Sequence, residues 1–459
     1  MNFSLGPVEE EEYVNRLCKL LKIKSVYVES ERYPYGPHID QALNYMLDMA
    51  KEDGFQVKNV DGHAGHVEFG EGEEIIGILG HLDVVPPGEG WDSDPFEPII
   101  KDGKIFGRGA QDDKGPVIAA YIAMKFLKEK GFMPDKKVRL ILGTDEERDW
   151  HGINYYFNKE EMPVFGFSPD ASFPVIHAEK GLIDGYITFP ANEGSGETVL
   201  ESLSGGDRLN MVPATAEAVI KGEAGELKES FSRFLKEHQL NGTVQEEGST
   251  VKLLLNGKTA HASTPEKGIN AVSSLLQFNG GLPLSTSQAC FVQQLNHGLS
   301  NSAGEGIGLS ISDEPSGKLT LNLGSIDWKK GDKCKVGVNV RYPVTTRYQK
   351  VMERLEAFAE KAGGHFELYD HLQSLYVEKE NKNVQTLLNV YNKWTNEQAS
   401  PQSMGGATYA RALKSGVAYG ALFKDSPDTA HQANEHVLIS DMMKAAAIYA
   451  EAIYRLTAE

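Results

Sequence analysis

Cysteine is nearly absent from these 459 residues: Cys18, Cys290 and Cys334 are the only three, and none pair as Cys-x-x-Cys. That excludes a disulfide framework and a cysteine-ligated zinc site, and leaves free buried thiols in a reducing compartment as the expectation. Basic residues are also in deficit. Lys and Arg number 46 against 65 Asp and Glu, a formal net charge of -19. A chain of that sign repels phosphates, which argues against nucleic acid and anionic membranes as partners. Long apolar runs are missing too, with none near the roughly 18 residues of a membrane-spanning helix. The start, Met1-Asn2-Phe3-Ser4 running into Glu9 to Glu12, has no basic stretch followed by an apolar one, so no export signal is read there. A cytoplasmic protein is expected.

What is present is an ordinary globular composition, 40% hydrophobic and 24% charged, with length for two large domains or three smaller ones. From Pro7 to about Gly181 helix-like and strand-like patterns alternate. Tyr13, Leu17, Leu20 and Leu21 share one helical face, as do Leu43, Met46, Leu47 and Ala50. The apolar run Ile75 to Leu79 is too short for a helix. A helical stretch from Pro116 to Lys128 leads into a second short run, Val138 to Leu142. This alternation predicts an α/β domain, a mixed sheet flanked by helices on both faces. The middle differs, with strand candidates at Thr250 to Leu255, Lys318 to Leu323 and Cys334 to Val340 and amphipathic helices at Glu226 to His238 and Gln349 to Ala362. We expect residues 191–378 to form an inserted α+β lid of two subdomains, and residues 1–190 and 379–459 to form one domain around it.

Five clusters carry the chemistry. They are Gly80-His81-Leu82-Asp83, Gln111-Asp112-Asp113-Lys114, Thr144-Asp145-Glu146-Glu147, Ser168-Pro169-Asp170 and Ala430-His431-Gln432-Ala433-Asn434-Glu435. Singly, each has a bland reading. His81 and Asp83 suit a strand end with a capping aspartate, Asp112 and Asp113 a helix N-cap, and Glu146 and Glu147 a solvated acidic turn. Asp170 suits a turn, and His431 a surface position. Jointly they read as a metal site, because several follow apolar runs and strand ends deliver ligands into one place. Imidazole would bind the metal at His81 while Asp83 accepts its other N–H. Of the adjacent glutamates, one could ligate and the other act as general base.

The stretch His81-Leu82-Asp83-Val84-Val85-Pro86, with Gly90-Trp91, Pro95-Phe96 and Gly107-Arg108-Gly109, resembles the signature of the metallopeptidase family of aminoacylase, carnosinase and succinyl-diaminopimelate desuccinylase. Its dipeptidase branch, carnosinase-like and active on Xaa-His, is matched more closely. Pro169 to Pro174, Gly205 to Pro213, Gly257 to Pro265, Asn339 to Pro343 and Gly405 to Arg411 carry that match. The resemblance implies two zinc ions, with manganese or cobalt as substitutes. Asp112 would bridge them, His81 and Asp170 would complete the first, and Glu147 and His431 the second. Glu146 would be the base. Asn210, His261, Arg341 and Gly406 would touch substrate, His261 at the oxyanion and Arg341 at the terminal carboxylate. Aspartate rather than glutamate at position 170 favours dipeptides with a free N-terminus over N-acyl amino acids. A deacylase or desuccinylase, or a binding protein without turnover, are the alternatives. The resemblance further implies a cis peptide at Asp112-Asp113 and, given the long insertion, a monomer in which His261 serves its own chain.

Overall fold

The computed structural model describes residues 1–458, so residue 459, the end of the expected first domain, lies outside them. The chain divides into two compact units. One comprises Met1–Ala178, Leu375–Ser403 and the chain from Ala407 onward; the other comprises Glu179–Ser374 with Met404–Gly406. The boundaries therefore fall earlier than expected on both sides of the insertion. Strand Gly181–Phe189, expected in the first unit, belongs to the sheet of the second.

In the first unit, strands Lys137–Gly143, Ile75–His81 and Phe165–Ser168 lie side by side and parallel, followed by Gly416–Ala418 parallel to Phe165–Ser168. Hairpin Gln56–Val60 with Ala64–Phe69 adds antiparallel strands on one side. The sheet is mixed, as the alternating pattern predicted. Both faces are covered, and neighbouring residues show why. Ile78, Leu140 and Leu142 enter the large core that includes helices Pro7–Leu21, Lys114–Glu129 and Ile439–Thr457. Leu79 and Ile141, one residue along each strand, enter a smaller core with Ile153, Tyr156 and Tyr409. Period-two alternation puts successive side chains on opposite faces, so fully buried strands read as unbroken apolar runs. Each fully buried Leu or Ile there contributes roughly 1.5–3 kcal/mol.

The helices begin and end close to where their patterns place them. Pro7–Leu21 has proline in its first turn, and Glu9 reaches back to the Gly6 N–H at 2.7 Å. Its buried residues are the predicted Tyr13, Leu17, Leu20 and Leu21.

The second unit has one eight-stranded antiparallel sheet, in the order Asn241–Glu247, Thr250–Asn256, Thr215–Lys221, Val199–Gly205, Thr320–Lys329, Cys334–Tyr342, Gly181–Phe189 and His365–Leu372. It shares one apolar core. The two expected subdomains are therefore joined in a single sheet. Of the thiols, Cys334 is buried, Cys18 half-buried and Cys290 exposed, so the expectation of buried thiols fails at Cys290. Among the described residues, no helix is long and apolar enough to cross a membrane.

Candidate metal centre

Three of the five clusters sit where parallel strands end. His81 closes its strand, Glu146 and Glu147 follow Lys137–Gly143, and Asp170 follows Phe165–Ser168. Adjacent parallel strands put these residues along one carboxyl edge of the sheet. Asp112 and Asp113 precede helix Lys114–Glu129, and His431 lies in the loop before strand His436–Leu438. The peptide between Asp112 and Asp113 is cis, as the resemblance implied.

Asp112 is the centre of the arrangement. Its Oδ1 lies 2.9 Å from His81 Nε2 and its Oδ2 lies 3.0 Å from His431 Nε2. Glu147 Oε1 stands 3.0 Å from the same nitrogen of His431. Asp170 Oδ2 stands 3.8 Å from His81 Nε2. The structure thus brings together all five expected ligands, two imidazoles on opposite oxygens of one carboxylate. Ligand atoms of His81, Asp112 and Glu147 all fall within 4.8 Å of one another.

Asp83 behaves differently from the expectation. The nearer partner of His81 Nδ1 is the backbone carbonyl of Asp83, at 3.0 Å, with carboxylate Oδ1 at 3.4 Å. The Asp83 carboxylate instead accepts the backbone N–H groups of Glu146 and Glu147, at 3.2 and 3.0 Å. Residue 83 therefore fixes the imidazole by its main chain and the glutamate turn by its side chain. With Nδ1 donating to a carbonyl, Nε2 of His81 would be the nitrogen that offers its lone pair to a bound cation.

Electrostatics test whether cations fit. Burial is the largest influence raising the carboxyl groups of Glu146, Asp170 and Asp113, and neighbouring carboxylates add to it. Burial also raises Glu147. Hydrogen bonding to Asp112 and Glu147 pushes His431 up to about 10. Burial lowers His81, but Asp112 and Asp83 outweigh it and raise the ring. A crowd of buried carboxylates thus draws protons to itself and to both imidazoles. A divalent cation between them would supply that charge directly. The imidazole and carboxylate donors suit zinc, cobalt or manganese.

Within the five clusters, the roles of several residues escaped the sequence reading. Asp113 stands at the N-cap, but its side chain makes no cap bond; Oδ2 accepts the His81 N–H at 3.1 Å. That approach requires Gly80, where a Cβ would lie 2.4 Å from Val117 Cγ2 and 2.6 Å from Asp113 Oδ2. Asp145 takes the Gly152 N–H on both oxygens, at 3.0 and 3.1 Å. Glu435, fully buried, holds the Asp112 loop: its carboxylate accepts from Arg108 Nη1 at 2.5 Å and from the backbone N–H groups of Gly109, Gln111 and Asp112 at 2.8–3.1 Å. Of the glycines flanking Arg108, Gly109 has a left-handed φ of 86°.

The expected substrate residues are in the second unit. Ala262 N donates to Asn210 O at 2.9 Å, and Met211 bridges His261, so the two loops hold each other. His261 Nδ1 lies 2.6 Å from Ser263 Oγ and accepts the Ser263 N–H at 3.3 Å, which leaves the ring hydrogen on Nε2. Arg341 is buried on strand Cys334–Tyr342 and donates to the carbonyl of Gly405, the residue before Gly406.

Comparisons with known proteins show what the chain as a whole is similar to. A "Putative dipeptidase YtjP" of Bacillus subtilis (strain 168) is 41% identical over 466 residues, covering 99% of this chain and all of the relative. A "Putative dipeptidase" of Staphylococcus epidermidis is 40% identical over 461 residues, 98% of each. Among solved structures, aminoacylhistidine dipeptidase from Vibrio alginolyticus superposes with a TM-score of 0.60 at 15% identity, covering 98% of this chain and 97% of that one. Human carnosine dipeptidase 1 does so with 0.57 at 13%, covering 98% and 97%. At such identities these two show the fold. The profile of Peptidase family M20/M25/M40 matches residues 77–455, and the chain belongs to that family.

Proposed function

We propose that this chain hydrolyses dipeptides with a free N-terminus, using two divalent cations, zinc foremost. The observation that carries the reading is Asp112, whose two oxygens face two different imidazoles while Glu147 stands beside them and Glu146 precedes it on the same turn. His81, Asp112 and Asp170 would hold one cation, and His431, Asp112 and Glu147 the other. Bound there, the cations lower the pKa of water so that a nucleophile exists near neutral pH. Glu146 stands directly before Glu147 on the turn that Asp83 holds, and it has no assigned ligand role. It takes a proton from the attacking water and returns it to the departing amine. Asp83 holds that turn in place through the two N–H groups it accepts. His261, with its proton on Nε2, donates to the oxyanion, and removing such a donor costs about 2.7–4 kcal/mol of transition-state stabilisation. Asn210 and Gly406 contact the substrate backbone, and Arg341 binds the terminal carboxylate.

Aspartate at 170 and relatives named as dipeptidases favour dipeptides over N-acyl amino acids. The reading includes a monomer in the cytoplasm, with His261 acting on its own chain. A panel of free dipeptides, N-acyl amino acids and metal-stripped controls tests it. Turnover of free dipeptides that returns on adding Zn2+, Mn2+ or Co2+ is expected. Preference for N-acyl substrates would assign a deacylase, and binding without turnover would refute catalysis. Glu146→Gln should retain metal while kcat falls by orders of magnitude; near-normal turnover would remove Glu146 as the base.

A further inference from the structure

Trp150 breaks two local rules at once. It opens helix His151–Lys159, the position where a short polar side chain ordinarily accepts one of the first free N–H groups. An indole only donates. Its φ of 58° also lies in the left-handed region, which a residue with a Cβ adopts only under strain. The helix is capped from elsewhere: Asp145, at the start of the turn, takes the Gly152 N–H on both oxygens at 3.0 and 3.1 Å. The Asp145 carbonyl accepts the Trp150 N–H at 3.3 Å. Glycine at 150 would relieve the strain, and serine or aspartate would cap. Strain at a bulky residue persists where its surroundings over-determine it, and it gathers at functional sites.

The contacts of the indole supply the reason. Trp150 Nε1 donates to the carbonyl of Glu146 at 2.8 Å. The ring packs edge-on against Tyr409, with centroids 5.0 Å apart at 71°. Tyr409 is itself fixed: it is buried, its hydroxyl lies 3.4 Å from Asp145 Oδ1, and its ring fills the space a Cβ on Gly143 would take. The carbonyl held by the indole belongs to the peptide between Glu146 and Glu147, whose N–H goes to Asp83 Oδ2 at 3.0 Å. The peptide before Glu146 gives its N–H to Asp83 Oδ1 at 3.2 Å. Both peptide planes flanking the Glu146 Cα are therefore pinned. Since φ and ψ are the only soft backbone dihedrals, the direction of the Glu146 side chain from the turn is set with them. The same plane aims Glu147, whose Oε1 stands 3.0 Å from His431 Nε2. Asp83 holds the N–H side of this turn, and the indole holds its carbonyl side.

We propose that Trp150 is a positioning residue for the reaction, pinning the Glu146–Glu147 peptide so that Glu146 is aimed as the base while Glu147 keeps to its cation. The inference rests on the reading of Glu146 as the base. Its test uses the metal-loaded full-length chain and reads kcat and KM for a free dipeptide. Zn2+ affinity against a chelator and thermal unfolding of the metal-stripped protein are measured beside them. Trp150→Phe keeps a ring against Tyr409 and removes the N–H. Its kcat should fall by roughly 10–100-fold, the scale of a misplaced catalytic group, with KM, Zn2+ affinity and unfolding near wild type. Trp150→Gly accepts the left-handed φ without strain, so it keeps the turn without the indole and should lose at least as much kcat. A double-variant cycle supplies the readout that packing would not move. In a Glu146→Gln background, Trp150→Phe should cost nothing further, because the group it positions has gone. The full loss in that background, a loss carried by KM or by Zn2+ affinity, or wild-type kcat in either folded Trp150 variant overturns the inference. Glu146→Gln separates the two levels. If Glu146→Gln is slow while the Trp150 variants are normal, positioning is wrong and the base stands. If Glu146→Gln turns over near normally, the base reading fails and the positioning inference falls with it.

Discussion

Glu435→Gln is the most informative perturbation of the candidate metal centre, because it replaces no expected ligand. The Glu435 side chain is 0% exposed and that of Arg108 1%. Among the described residues Arg108 has one carboxylate partner, supplemented by the Pro87 carbonyl at 3.1 Å and the face of Trp91 at 5.2 Å. Glutamine fills the same space but leaves the guanidinium buried without a counter-charge, a loss of about 3–5 kcal/mol. For a unit of this size that is on the order of 10 °C in the midpoint of thermal unfolding. The second consequence is local. Glu435 accepts the N–H groups of Gln111 and Asp112 and stands four residues after His431, so it ties the expected bridging ligand to the loop of another candidate ligand. Outer partners of this kind change metal affinity by about 10–100-fold. The assays are thermal unfolding of the metal-stripped protein and competition titration of the metal against a chelator. Arg108→Met combined with Glu435→Gln should recover much of the stability, since both buried charges leave together, but not the metal affinity. A single Glu435→Gln variant within about 1 kcal/mol of wild type, with unchanged affinity, would refute the reasoning.

Two further outcomes are expected. Mixing Glu146→Gln chains with His261→Ala chains should give no rescue and a mass near the 50.4 kDa of one chain; restored activity would place the histidine on another chain's site. Acid should weaken the fold through His66, which burial and then the charges of Arg139 and Lys58 hold at about 3. His66 is neutral in the fold, so its contribution is whole above about pH 6.5 and lost as pH falls toward 3, by up to about 1.4 kcal/mol per pH unit. His66→Gln should flatten the urea-unfolding stability between pH 6.5 and 4, and an unchanged slope would remove His66 as the cause.

The candidate ligands were legible in the sequence because their logic is local: a strand reads as a short apolar run, and the residue after it has a known edge. His81, Glu147 and Asp170 each follow such a run, and the structure brings them together with Asp112 and His431. What stayed hidden acts through backbone groups or across the chain. Glu435 serves N–H groups more than 300 residues away, and an N–H leaves no trace in residue type. Asp83 was found, but not that its carbonyl and carboxylate divide the work. The boundary of the second unit was misplaced for a related reason. Strands Ile176–Glu179 and Gly181–Phe189 run through it with only Lys180 between them, so no change of composition announces it. The hydrogen bond from Asn339 to Asp184 joins residues 155 apart, and it depends on register. A slip of one residue would turn Asn339 and Arg341 to the other face of the sheet. Periodicity specifies that faces exist; which residues meet on them is decided by pairing.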